Sequence, residues 1–293
     1  MPTARAILET PECLLCKNRD SVLFAKKSGH TLYRCSSCGL IFLHPVAESY
    51  ASLYDEDYFT GAKKGYGYPN YDEEKKEMAS TFDIYLTLLE HRTQPKTLLD
   101  VGAANGFFMD RARARSWEVS GIEISPYARA LIAQRGFHTF ADLASAKEKG
   151  ATFTAVTLLD TVEHLRNPVA DIRTIKELLA PNGFLVINTP NGGSFWARLL
   201  GARWPLLVPP EHIYIFNKKN LKELLQREGF SVLVIKSIGK KFSLRYIFRL
   251  LANGNPSSRL LTSLASFFES HAIGHVSVWL NVRDNMFFIA QKS

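Results

Sequence analysis

The stretch Leu98–Phe108, LLDVGAANGFF, leaves the chain few options. A short apolar run (Thr97, Leu98, Leu99) ends in Asp100, Gly102 and Gly106 follow, and an apolar, Arg-rich stretch with helical spacing comes next. This is the pattern of a buried strand, a tight turn and a helix N-terminus. It predicts a strand over 97–101 and a helix over 105–115. Glycine lets a backbone approach a ligand closely, and a helix start offers unpaired N–H groups. A dinucleotide turn needs G-x-G-x-x-G; here the spacing is G-x-x-x-G, with Ala103 and Ala104 inside it. Alone, such a pair is equally an ordinary α/β turn.

A second strand-like run, WEVSGIEIS at Trp117–Ser125, places Glu123 23 residues after Asp100. An acid about 20 residues past a glycine turn suits the two hydroxyls of a ribose, because a carboxylate accepts both hydrogen bonds. With VTLLDTVEHLRNP at Val156–Pro168, the chain from about Tyr54 to Lys292 resembles class I S-adenosylmethionine-dependent methyltransferases. The resemblance implies that Asp100, Gly102, Ala104, Asn105, Gly106 and Phe107 surround the cofactor. It assigns Glu123 and Ile124 to the ribose side and Asp142 and Leu143 to the adenine. Asp160 would lie near the methyl donor, and Tyr58 in a covering segment. Members of the family often have a third glycine where this chain has Ala104; the extra methyl narrows the turn.

From Thr97 onward strands and helices alternate. Strands are expected at 97–101, 118–123, 137–140, 153–159, 184–189, 230–237 and 285–291, and helices at 105–115, 126–135, 168–180, 193–200 and 217–228. Pro126 just inside one helix and Gly136 just past its end are the usual start and stop signals. The expected fold class is α/β: a Rossmann-like, seven-stranded, mostly parallel sheet with helices on both faces. A small zinc ribbon precedes it and a helical insertion precedes the last strand. Ligands of such sheets bind at the carboxyl ends of the strands, which lines up Asp100, Glu123, Asp142 and Asp160 on one rim.

All four cysteines fall in the first 40 residues, as Cys13-x2-Cys16 and Cys35-x2-Cys38 with 18 residues between the pairs. That spacing matches a four-thiolate zinc site. Four thiolates leave no open position for a substrate, so the metal's role is to fold a ribbon (1–48) too small for its own core. The next unit, 49–95, begins with YASLYDEDYFTGAKKGYGYPNY, rich in tyrosine, with glycines at 61, 65 and 67. It reads as a lid hinged at Gly65 and Gly67 or, equally, as a loop packed by its own rings. Glu73–Arg92 follows as a helix with Met78, Phe82, Tyr85, Leu86 and Leu89 on one face. The third unit, 96–293, is the methyltransferase-like domain with its insertion at 238–283.

For methyl transfer to a hydroxyl, a base near neutral pKa helps. In the D-x-x-E-H run the resemblance makes Asp160, Glu163 and His164 active-site residues. A helical start there puts Asp160 and His164 on one face, so that the carboxylate raises the imidazole pKa. His212, in the Pro- and aromatic-rich loop Trp204–Phe216, resembles the histidine of the family's E-H-x-x-x-F stretch and is expected to wall the acceptor pocket.

Between Lys236 and Arg259 six Lys/Arg meet no acid, beside apolar positions at helical spacing (Leu244, Ile247, Phe248, Leu251; then Leu261, Leu264, Ala265, Phe268). A helical hairpin with a basic face follows, packing on the sheet as a cap or serving as a dimer surface, a lid over an anionic substrate, or a contact to an anionic membrane through 240–268. A net charge of +8 over 293 residues favours anionic partners. The basic cluster lacks interleaved aromatic stacking platforms, which argues against nucleic acid. No 18-residue apolar run and no signal-peptide core is present, so the expected location is cytoplasmic, at most peripheral to a membrane. The ribbon-first order resembles enzymes of bacterial sugar, polysaccharide and natural-product pathways. Sugar C-methyltransferases with a similar ribbon carry a further C-terminal domain absent from this sequence. The resemblance therefore favours O-methylation of a small or lipid-linked glycan-type acceptor, with RNA and sugar C-methylation as alternatives.

Overall fold

The computed structural model of the chain describes residues 10–50, 53–60, 71–254 and 258–293. Three short strands come first, β1 (Ser21–Lys27), β2 (His30–Cys35) and β3 (Ile41–Leu43), followed by α1 (Glu56–Thr60) and α2 (Tyr71–Glu90). The alternating part comprises β4 (Thr97–Val101), α3 (Phe107–Arg113), β5 (Glu118–Ile122), α4 (Pro126–Gln134), β6 (His138–Phe140), α5 (Leu143–Glu148), β7 (Phe153–Leu159), α6 (Pro168–Leu178) and β8 (Leu179–Pro190). After it come α7 (Phe195–Leu200), β9 (Tyr214–Ile215), α8 (Lys218–Arg227) and β10 (Phe230–Lys236). The insertion holds β11 (Lys240–Ser243), α9 (Leu244–Gly254), α10 (Arg259–Ser270) and β12 (Ser277–Leu280), and β13 (Asn285–Lys292) closes the chain.

The large sheet has the order β10-β13-β8-β7-β4-β5-β6, with β13 antiparallel to both neighbours and the rest parallel. Its central strands are apolar almost throughout, as a sheet covered on both faces requires. On one face α2 presents Phe82, Tyr85, Leu86 and Leu89 to the core, with Tyr85 stacked on Phe287 at 4.6 Å between ring centres. Arg115 and Arg111 tie the same helix to the α3 side through Glu90 and Asp83, each at 2.6 Å. Local signals set the helix starts: Ser125 caps α4 ahead of Pro126, Asn167 caps α6 ahead of Pro168, and Asn217 closes a capping box on α8.

Several features differ from the expected layout: a short helix α5 appears after β6, and β8 starts at Leu179, directly where α6 ends. The helix after the glycine turn begins at Phe107 rather than 105, because Gly106 caps it in the left-handed region at φ 82°. The insertion is not only helical: β11 and β12 pair across its base, leaving α9 and α10 packed on each other above them, with Phe248 and Phe268 stacked at 4.3 Å. Among the described residues, no helix is long and apolar enough to cross a membrane.

The ribbon sheet is completed from far along the chain. Its order is β1-β2-β3-β9, so its fourth strand lies within the loop that follows β8. Ile41 pairs with Ile215 and Phe42 with Tyr214, and Leu43 N–H donates to Ile213 O at 2.8 Å. Asn217 and Asn220 both donate to Cys38 O, at 3.2 and 3.3 Å.

Candidate active site

The glycine turn leaves β4 with Gly102 at φ 80°, Ala104 at φ 49° and Gly106 at φ 82°. Ala104 thus takes a left-handed backbone that glycine would adopt without strain. What holds it there is Glu123, whose two carboxylate oxygens accept the N–H of Ala104 and of Ser125, both at 2.8 Å. Burial raises the Glu123 pKa, against these amide bonds. Gly102 lies against Thr161: a Cβ built on it would come within 2.7 Å of Oγ1. The cofactor-side turn and the turn after β7 are therefore in direct contact.

Asp100 lies behind this wall. It is buried and accepts from Thr157 Oγ1 at 2.6 Å, and its pKa is raised to about 7 by burial and by the charge of Glu123. Asn105, Gly106 and Phe107 also lie behind the cavity wall, where Asn105 Oδ1 accepts from the Phe107 N–H. Gly102, Ala104, Glu123, Ile124, Asp142 and Leu143 line the cavity itself. Asp142 is exposed and caps α5, and the amide and hydroxyl of Ser145 lower its pKa. The first part of the tyrosine-rich segment covers the turn, with Tyr58 and Phe59 packed against Ala128, Tyr54 and Ala104. The hinges at Gly65 and Gly67 lie outside the described residues.

After β7 the backbone makes a sharp turn at Asp160, φ 54°. Asn188 donates to its Oδ1 at 2.6 Å, and Lys240, from β11, to Oδ2 at 3.3 Å. Burial opposes ionisation, but the charge of Lys240 prevails and lowers the Asp160 pKa. Two expectations about His164 are thereby corrected. Residues 161–164 form a turn rather than a helix start, with His164 N–H on Thr161 O at 2.9 Å. The charge of Asp160 does raise the imidazole, as does the Glu211 carbonyl, but burial and the neighbouring His212 outweigh both and depress the His164 pKa to about 3.

Glu163 is buried and accepts from Thr189 Oγ1 at 2.9 Å. Burial and the charge of Asp160 raise its pKa to about 8. His164 Nδ1 meets Glu211 O at 2.8 Å and the Tyr54 hydroxyl at 3.1 Å, while His212 Nδ1 meets Leu206 O at 2.7 Å. The two imidazoles lie edge to face, 4.8 Å between centres. The Glu163 carbonyl accepts the N–H groups of Ile213 and Tyr214 at 2.9 and 3.1 Å, which draws the His212 loop onto the D-x-x-E-H turn. The cavity lined by Gly102 and Glu123 is also lined by Asp160, Glu163, His164 and His212, and it extends to Phe242, Tyr246 and Leu280 of the insertion. Sequence reasoning missed Lys240 and Glu211; an unpaired lysine in an acid-free stretch was the only trace of the first.

In the ribbon, one sulfur from each of Cys13, Cys16, Cys35 and Cys38 lies within 4.8 Å of the others, and the closest pairs are 3.5 and 3.6 Å apart. Sulfurs held tetrahedrally at ~2.3 Å from one ion sit roughly 3.8 Å apart, so the set fits a four-coordinate zinc.

The order of strands, with β13 inserted antiparallel, together with a ligand cavity at the strands' carboxyl ends, defines a doubly wound α/β ligand-binding domain. A model of the methyltransferase-domain family matches residues 71–234, more than half of the chain. The chain belongs to that family and carries a class I S-adenosylmethionine-dependent methyltransferase domain. A ubiquinone biosynthesis O-methyltransferase of Cereibacter sphaeroides is 29% identical over 148 residues, 45% of this chain and 59% of that relative. Its counterpart in Azoarcus sp. is 28% identical over 42% of this chain and 57% of the relative. The alignments thus span less than two thirds of these curated relatives. The crystal structure of a SAM-dependent methyltransferase from Archaeoglobus fulgidus shares the fold, with a TM-score of 0.52 at 16% identity, over 83% of this chain and all of that one.

Proposed function

We propose that the chain transfers a methyl group from S-adenosylmethionine to a hydroxyl of a small-molecule or glycan-type acceptor with an apolar portion. The observation that supports this most is the single cavity of about 1350 Å³ joining the glycine turn, the Glu163–His164–His212 cluster and the apolar side chains of the insertion. Pockets for one small ligand occupy ~300–1,000 Å³, so there is room for a cofactor and an acceptor together. The names of the curated relatives favour oxygen as the nucleophile.

In the reaction the acceptor oxygen attacks the sulfonium methyl in line. The O–CH₃ bond would form as the S–CH₃ bond breaks, with that electron pair kept by sulfur and the hydroxyl proton passed to solvent water. The donor is already activated, so the protein's work is alignment of the partners and exclusion of water. Glu123, fixed by two backbone amides, is the group for the ribose. The four cysteines hold structural zinc in the ribbon. The acid-free helix α9 forms a basic edge of the acceptor side, suited to a phosphorylated acceptor or an anionic membrane surface.

The test is transfer of labelled methyl from S-adenosylmethionine to a panel of nucleotide sugars, glycolipids, ubiquinone-type phenols and RNA. Transfer to a hydroxyl of one small or lipid-linked class is expected. Transfer to RNA alone, or to nothing despite tight cofactor binding, refutes the proposal.

A further inference from the structure

Three groups able to ligate a metal converge on the acceptor side of the cavity. One atom each from Glu163, His164 and His212 lies within 4.8 Å of the other two, and none of the three belongs to the four-cysteine cluster. The imidazoles are set in one particular state. Each Nδ1 faces a backbone carbonyl, Glu211 O at 2.8 Å and Leu206 O at 2.7 Å. A carbonyl has no proton to give, so each Nδ1 carries the hydrogen and each Nε2 keeps its lone pair. A ring nitrogen donating to a backbone carbonyl is how a metal-ligating histidine is oriented. Glu163 supplies the independent observation. Thr189 occupies its Oε2, while its Oε1 is buried with no hydrogen-bond partner among the described residues. A buried carboxylate oxygen left unpaired is costly unless a group from outside the chain meets it.

We propose that Glu163, His164 and His212 form a binding site for one divalent first-row transition cation, opening onto the acceptor half of the cavity. Two imidazoles and one carboxylate suit Zn²⁺, Mn²⁺, Fe²⁺ or Co²⁺, whereas Mg²⁺ and Ca²⁺ prefer oxygen-only sets. Three protein ligands leave at least one position open. An acceptor hydroxyl in that position becomes more acidic, because the cation favours its ionised form. This use of the cation rests on the methyltransferase reading; its binding does not.

The test uses the full chain with its cysteine cluster loaded with zinc, titrated with Co²⁺. The wild type takes up one further equivalent, with weak visible bands and no sulfur-to-cobalt charge transfer. Glu163→Gln and His212→Ala each weaken that uptake by roughly tenfold or more, while far-ultraviolet circular dichroism and S-adenosylmethionine affinity stay unchanged. Should either variant fail to fold, the wild-type spectrum and stoichiometry alone decide. No uptake beyond the cysteine cluster, a thiolate spectrum for the second ion, or full uptake by both folded variants overturns the proposal. A protein that binds the second ion but methylates nothing leaves the site standing and refutes only the proposed reaction.

Discussion

Gly102→Ala tests how tightly the glycine turn and the turn after β7 are pressed together. The new Cβ meets Thr161 Oγ1 at 2.7 Å, Cγ2 at 2.8 Å and Cβ at 3.3 Å, at a backbone φ of +80°. Two costs add. A non-glycine residue in the left-handed region costs ~1–2 kcal/mol. Forcing a packed neighbour aside costs ~1–3 kcal/mol more, and Thr161 cannot yield freely because its hydroxyl donates to Leu159 O at 3.2 Å. The single variant is therefore expected to lose about 2–5 kcal/mol in urea unfolding of the ligand-free protein. Thr161→Ala removes the two closest atoms and leaves only its own Cβ near the new methyl. The double variant should recover the steric part and keep the backbone strain, giving a favourable coupling of about 1–2 kcal/mol in the cycle. Additivity within ~0.5 kcal/mol would refute the argument, since it would mean that the turn moves away without resistance from Thr161.

Other consequences follow from the same geometry. Protein purified without added metal should contain one zinc per chain in the ribbon by elemental analysis, and Cys35→Ser should abolish it; four free thiols in an intact wild-type fold would exclude the site. Glu123→Gln should weaken S-adenosylmethionine binding nearly as much as Glu123→Ala, by roughly one to two decades in calorimetry, because both oxygens accept backbone N–H groups and an amide NH₂ must face one of them; retained affinity would contradict this. Asp100 carries a pH signature. Its folded pKa of about 7 lies above the ordinary carboxylate value, so the stability it contributes is full below about pH 4 and is lost as pH rises to 7. Asp100→Asn should be more stable than wild type by roughly 2–4 kcal/mol at pH 8 but not at pH 4; an equal difference at both pH values refutes the assignment.

The alternating half of the molecule was legible because local signals and burial agree there. Strand 97–101 and strand 153–159 fall on the expected residues, and the helices expected from 126 and from 168 begin there. The candidate acceptor side was only half legible. Asp160, Glu163 and His164 stand in one run, but His212 joins them across a gap in sequence through the Glu163 carbonyl and the β3–β9 pairing. Lys240 reaches Asp160 from the base of the insertion. No periodicity encodes such meetings; tertiary packing alone creates them. The expected upward push of Asp160 on His164 is present but overridden for the same reason, since the burial and the neighbouring His212 that depress the imidazole come from packing distant in sequence.

The shared ribbon sheet divides the labour of the cavity. The glycine-turn half is written mostly in one stretch, from the turn to the end of β7, with Tyr58 and Phe59 laid over it. The acceptor half is assembled from Tyr54, the His212 loop clamped by the ribbon, and the inserted hairpin. On the proposed reading, substitutions in the ribbon or the hairpin act on the acceptor end of the cavity rather than on the glycine turn. The ribbon is in that sense a bracket: through β9 it sets where the His212 loop stands, while the glycine turn is held by Glu123.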